Sequence, residues 1–177
     1  RGVDVPSAPT QRSSVSHSHV LPPAERNQAD ARAVINRLLQ KAALRLRKME
    51  LTAGKLAITV KFVGHDRWHC ERPLPQTDDT AELSRVLNQA WDAEAARIRR
   101  HKPLAVGVTL MDVQPWADQQ PGLFEAVKPT HRLTQIADAA QRRFGKNAVY
   151  LGASQTARES APMRIAFNRI PDPETEA

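Results

Sequence analysis

Apolar residues between Asn27 and Met49 recur at Val34, Ile35, Leu38, Leu39, Ala42, Leu46 and Met49. This three-and-four spacing predicts an amphipathic helix with one buried stripe. Arg32, Arg37, Lys41, Arg45 and Lys48 fall on its other side, and Gly54 is expected to close the turn after it. The period then changes to two. Leu56, Ile58, Val60 and Phe62 alternate with Ala57, Thr59, Lys61 and Val63, the pattern of a strand with one core face and one wet face. Gly64-His65-Asp66 is expected to turn the chain, with Arg67 to Leu74 returning as the partner strand until Pro75 stops it. Asp79 can cap a second helix, answered by Glu82, with a stripe of Leu83, Val86, Leu87, Ala90, Trp91 and Ile98. Leu104 to Met111 alternates again. Before all of these, Ser14, Ser16 and Ser18 alternate with Val15, His17 and His19 up to Pro22-Pro23, a short first strand.

The order strand, helix, strand, strand, helix, strand predicts an α+β domain, a four-stranded sheet with two helices on one face. Pro115, Pro121, Gly122 and Pro129 then break any regular element, so Gln114 to Pro129 reads as a linker. Beyond it Leu133, Ile136, Ala137, Ala140 and Phe144 mark one more amphipathic helix closed by Gly145. Ala148 to Leu151 is expected as a short strand and Met163 to Phe167 as an extended segment. The expected division is a tether over 1–12, the sheet domain over 13–113, the linker over 114–130 and a small extension over 131–177.

Charge adds a partner class. Lys and Arg number 26 against 19 Asp and Glu, a formal +7 with pI near 10.2, which favours phosphate-rich partners. Cys70 is the sole cysteine, so no internal disulfide forms and a cytoplasmic location is expected. No apolar run nears the roughly 20 residues of a membrane helix. The start at Arg1-Gly2-Val3 has neither an initiator Met nor a signal-peptide core, and the chain is expected to be a piece of something longer.

Motifs for chemistry are missing. There is no glycine-rich phosphate loop and no nucleophile elbow. Asp78-Asp79 is better used in capping a helix than in a two-metal site. His65, His69 and Cys70, or His17 with His19, fall short of the thiol count and spacing of a structural zinc site, so no metal is expected. The polar strand faces say more. Thr59 and Lys61 oppose the core residues of their strand, Arg67 and His69 share one face of the next, and Arg12 precedes the first. Ser14, Ser16, Thr109 and the bare Gly107 would let phosphates approach backbone amides. Aromatic content of 5% disfavours base stacking, which leaves phosphate contact without sequence reading.

Several of these segments together resemble the little-finger domain of Y-family translesion DNA polymerases, of the DNA polymerase IV and UV-mutagenesis type. They are Gly2-Val3-Asp4 with Pro6, Arg12 to Ser16, the helix ending Leu44 to Leu51, the Leu56 to Phe62 strand, Pro75 to Thr80 and Val106 to Leu110. The resemblance spans Gly2 to Val113. It implies an open sheet face that grips duplex primer-template DNA in DNA repair and damage tolerance, with backbone contacts from Arg12, Ser14, Ser16, Thr59, Lys61, Arg67, Lys102 and Thr109. The family commonly has Lys before the first-strand Ser, Gly two residues after it and Arg early in the last strand, where this chain has Ser13, Ser16 and Leu104. Grip there is weaker, or Arg12 and Lys102 substitute. Gln120-Pro121-Gly122-Leu123-Phe124 resembles the bacterial sliding-clamp-binding pentapeptide, which implies clamp anchoring through Gln120, Leu123 and Phe124. No palm carboxylates occur, so no catalysis and no cofactor is expected here. The resemblance implies a parent DNA-directed polymerase using Mg2+ in its palm, and the SOS response as its setting. The competing expectation is a non-catalytic relative of the family, an adaptor joining DNA, clamp and other repair proteins. A monomer is expected.

Overall fold

The computed structural model describes residues 14–118, 129–145, 148–149 and 152–157. Four strands form one antiparallel sheet in the order β1-β4-β2-β3, with β1 at Ser14–Val20, β2 at Leu51–Phe62, β3 at His65–Thr77 and β4 at Pro103–Pro115. The helices are α1 (Gln28–Lys48), α2 (Thr80–Ala93), α3 (Ala95–Arg100) and α4 (Pro129–Phe144). Three-ten turns occupy Pro23–Glu25, Trp116–Asp118 and Gly152–Ala157. No helix among the described residues is long and apolar enough to cross a membrane.

Alternation decides which side of the sheet is covered. Leu56, Ile58, Val60, Val106, Val108 and Leu110 are all buried, and they meet Val34, Ile35, Leu38, Leu39 and Leu46 of α1 and Leu83, Leu87 and Trp91 of α2 in one core. Trp68 of β3 meets Trp91 edge to face at 6.5 Å, and such a pair is stable with the ring edge on the partner's face. Side-chain caps start α1 and α2, the second of them the expected Asp79. Asn27 Oδ1 accepts from the Asp30 amide at 2.9 Å and Asp79 Oδ1 from the Ala81 amide at 2.9 Å.

The α+β arrangement agrees with the alternation in the sequence, and the departures are local. Gly54 lies inside β2, and the turn before that strand is made by Met49 and Glu50, with Glu50 in the left-handed region at φ 55°. The hairpin turn is Val63-Gly64, one residue earlier than expected, with Gly64 at φ 68°. Pro75 does not stop β3, which runs through Pro73 and Pro75 to Thr77. It is an edge strand, where an amide missing on the solvent side costs nothing. The second helix breaks at Glu94, and α3 carries Ile98 into the core. β4 continues to Pro115, so the expected linker start at Gln114 falls within the sheet. Ala148 and Val149 form a bend rather than a strand. The segment Met163 to Phe167 lies outside the described residues.

The largest departure is α4. Its Gly145 stop, at φ 91°, matches the expectation, but α4 begins at Pro129, inside the expected linker, where a proline suits the first helical turn, and its apolar stripe faces outward. Leu133, Ile136 and Phe144 are 65%, 59% and 71% exposed, while Thr134 is buried. The reason is electrostatic. Arg47 of α1 is almost covered, and its guanidinium forks onto Asp138 of α4, Nε to Oδ2 at 2.6 Å and Nη2 to Oδ1 at 2.9 Å. Arg47 Nη1 donates to the Asp78 carbonyl at 2.7 Å and the Thr80 hydroxyl at 2.9 Å. Thr134 Oγ1 donates to the capping Asp79 at 3.1 Å. A buried cation must be paired and hydrogen-bonded, so the polar side of α4 turns inward. Gly152–Ala157 also packs on α1, with Ala157 in the core.

Replacing Arg47 with Met leaves Asp138 covered and without its partner, and is expected to lower stability by about 3 kcal/mol. Urea denaturation measures it, and a loss under about 1 kcal/mol would show that the pair is hydrated in solution.

Candidate nucleic-acid interface

The opposite side of the sheet carries none of these helices. α1 and α2 cover one face, and α4 and the Gly152–Ala157 turn pack onto those helices. Among the described residues the second face is therefore bare. Strand register sets it out as rows. Ser14, Met111, Lys55 and Pro73 lie side by side, then Ser16, Thr109, Ala57 and Glu71, then Ser18, Gly107, Thr59 and His69, then Val20, Ala105 and Lys61. Arg67 stands on the same side at the end of β3 near Lys61.

With Glu71 and His69 at the β3 edge, the middle rows on β1, β4 and β2 consist of Ser, Thr, Ala and Gly. Such side chains are short, so a bulky polyanion can come close to the backbone and meet hydroxyl donors. Gly107 is central. A Cβ there would meet the Ser18 Cβ at 3.3 Å and the His17 carbonyl at 3.5 Å, so the narrow floor of the face depends on its having no side chain.

Charge is distributed unevenly. Thr59 Oγ1 lies 3.1 Å from His69 Nδ1, and His69 Nε2 lies 3.4 Å from Glu71. Lys55 reaches Glu71 at 3.6 Å and Asp112 at 3.7 Å. The rows near Lys55 are thus already neutralised. Lys61 and Arg67, at the other end, are exposed and have no carboxylate among the described residues.

Of the residues singled out from the sequence, Ser14, Ser16, Thr59, Lys61, Arg67 and Thr109 come together on this face. Lys102 does not join them. It precedes β4 beyond the last row, where its carbonyl accepts the Val63 amide at 3.0 Å. Arg12, Gln120, Leu123 and Phe124 lie outside the described residues. Sequence reasoning missed Lys55, Glu71 and Asp112. Glu71 shares the alternation of Arg67 and His69 and was legible there. Asp112 adopts φ 53°, which its residue type does not announce.

The candidate ligands disperse. His65 stacks on His101 at 4.2 Å between ring centroids, His69 serves Thr59, and Cys70 lies on the other side of β3 from His69. Burial pushes the Cys70 thiol up from its usual value, against the opposing pull of Arg72, so it stays protonated and a poor nucleophile. No cluster of three His, Cys, Asp or Glu suited to a metal ion occurs among the described residues.

The family model for the impB/mucB/samB family C-terminal domain matches residues 12–123. The chain belongs to this family. Among solved structures it is similar to a Y-family DNA polymerase chimera of Dbh and Dpo4, at 13% identity and TM-score 0.51, over 60% of this chain and 30% of that one. It is also similar to a complex of the beta-clamp processivity factor and the little finger domain of PolIV, at 20% identity and TM-score 0.46, over 63% of this chain and 99% of that one. The chain thus spans under a third of the polymerase chimera it matches. No curated protein matches it. The sheet backed by helices has the fold of the matching part of the polymerase chimera, and the chain holds the C-terminal domain of the impB/mucB/samB family.

On the covered side, His17 and His19 of β1 point toward α1. Burial lowers the pKa of His17 below 6.5, helped by Arg45 and then Lys41. Burial also lowers that of His19, with Glu25 opposing and Lys41 assisting. A depressed folded-state value means that the unfolded chain binds the proton first as pH falls. Above about 6.5 both states are neutral, so stability is expected to decline from pH 6.5 downward until the folded-state values are passed. Melting temperature measured between pH 7 and 5 tests this. His17→Leu should flatten the decline, and an unchanged slope would exclude His17 as its source.

Proposed function

We propose that this domain grips the backbone of primer-template duplex DNA for a translesion polymerase acting in repair and damage tolerance. The observation that carries the reading is the bare face itself. Its middle rows are floored by Ser16, Ser18, Gly107, Thr109, Ala57 and Thr59, and one end is marked by the free cations Lys61 and Arg67. Rows of short hydroxyls beside unpaired cations suit phosphates and carry no device for reading bases. The family membership supports a polymerase as the parent, whose nucleotidyl transfer and Mg2+ would belong to a palm domain. The pentapeptide Gln120 to Phe124 supports a tether to the sliding clamp, with Leu123 and Phe124 as apolar anchors and Gln120 as the hydrogen-bonding residue.

Duplex binding is expected to weaken steeply with salt, at a slope near that for about three to five neutralised phosphates. A flat response in a fluorescence-anisotropy titration would overturn the phosphate grip. Lys61→Glu should reduce that slope by about one. Its unfolding free energy should stay within about 0.5 kcal/mol, because the side chain stands in water. Leu123→Ala with Phe124→Ala should abolish clamp binding in surface-plasmon measurements and leave DNA affinity intact. Retained clamp binding would remove the pentapeptide assignment.

A further inference from the structure

Beyond the last row of the bare face, at the pole where β4 begins, an open pocket of about 310 Å³ is lined by Arg26, Asn27, Gln28, Arg99, Arg100 and Lys102, over a floor of Ile98 and Pro103. His101 completes the wall. Two breaks in the chain create it. The interruption at Glu94 sets off α3, which buries Ile98 and leaves Arg99 and Arg100 exposed. The turn after Leu21 brings Arg26 alongside, and its Nε is held by the Leu21 carbonyl at 2.9 Å, so its terminal nitrogens are positioned rather than free to swing.

No carboxylate lines this pocket. Asp30, in the first turn of α1, is occupied by Asn27, whose Nδ2 donates to it at 2.5 Å, and Glu25 acts on His19. Arg99, Arg100 and Lys102 have no acidic partner among the described residues. The 21-residue helix α1 also begins here, and the positive end of its dipole adds to the cations. Like charges gathered around a concavity repel one another, and an oxyanion placed among them removes that cost.

The position of the pocket restricts the ligand further. Ala105 pairs with Lys61 in the last row of the face, and Lys102 is only three residues of extended chain away, about 10 Å. That distance is about three nucleotide steps along one strand of a duplex. Yet the pocket is lined by the start of α1 and the end of α3, which belong to the helix layer, and by no residue of the bare face's rows. A stiff duplex resting on the face cannot turn round the end of the sheet. A single strand can.

We propose that this pocket binds a backbone phosphate of the single-stranded DNA that continues beyond the duplex held on the bare face. The assignment rests on the duplex-gripping reading above, and the variants keep the two apart. Lys61→Glu probes the face, and Arg99→Gln with Arg100→Gln probes the pocket.

With the full chain, a blunt duplex is compared with the same duplex bearing a single-stranded overhang of about eight nucleotides, at about 0.1 M salt. The overhang is expected to raise affinity about five- to tenfold through the added phosphate contacts. The Arg99 and Arg100 double variant should abolish that gain and leave the blunt duplex unchanged, whereas Lys61→Glu should weaken both DNAs. Equal loss on both DNAs in the double variant would reduce the pocket to general charge and overturn the proposal, as would a retained gain. Backbone amide shifts at Asn27, Gln28 and Lys102 during titration with inorganic phosphate distinguish the other source of this chemistry. If phosphate saturates them and the overhang adds no affinity, the pocket takes a free anion and the single-strand assignment falls. Should the double variant melt early, Arg99→Ala and Arg100→Ala singly, each expected to remove part of the gain, keep the comparison open.

Discussion

Everything in this domain depends on the central strands β2 and β4 having one face that must leave water and one that need not. Leu56, Ile58 and Val60 on one strand and Val106, Val108 and Leu110 on its neighbour are all buried beneath α1. Burying each such side chain contributes on the order of 2 kcal/mol, so slipping either strand by one residue would forfeit much of the core. The register is therefore fixed by the covered side. The bare side inherits it, and the rows of serine, threonine and glycine stay aligned without needing interactions of their own.

A second constraint holds the helix layer in place. Asn36 of α1 is fully buried, and its amide donates to the Arg32 carbonyl while its oxygen accepts from Ser84 at 3.1 Å and Asn88 at 3.1 Å on α2. A buried polar group satisfied from the neighbouring helix permits few alternative packings. Arg47 extends the same logic to α4, reaching Asp78 and Thr80 at the start of α2 as well as Asp138. The segment after β4 is thereby fastened to the rear of the domain. That keeps the described part of the extension off the face and turns Leu133 and Ile136 outward.

The elements were legible in the sequence because each carries a clean period. The three-and-four spacing from Val34 to Met49 and the alternation from Leu56 to Phe62 leave little freedom, and the order of elements then specifies the sheet with its helices. Boundaries were less legible where backbone geometry overrode residue type. Glu50 and Asp112 adopt left-handed conformations that glycine would have signalled, and Pro73 and Pro75 are harmless only because β3 is an edge strand. The orientation of α4 could not be read at all. Its sequence has a normal apolar stripe, and what reverses it is a cation 91 residues earlier in the chain. Of the candidate contact residues, those on strands could be assigned to a face by parity. Lys102 is in a connection, where parity has no meaning.

The excess charge of the chain is a poor guide to how the face works. The formal charge is +7, yet on the face Lys55 is paired with both Glu71 and Asp112, and the free cations are Lys61 and Arg67 at one end. A surface that attracted polyanions by charge alone would not place Glu71 in the row of Ser16 and Thr109. Shape carries more of the burden here. Short side chains and the absent side chain of Gly107 allow close approach, and the cations at one end give the approach a direction.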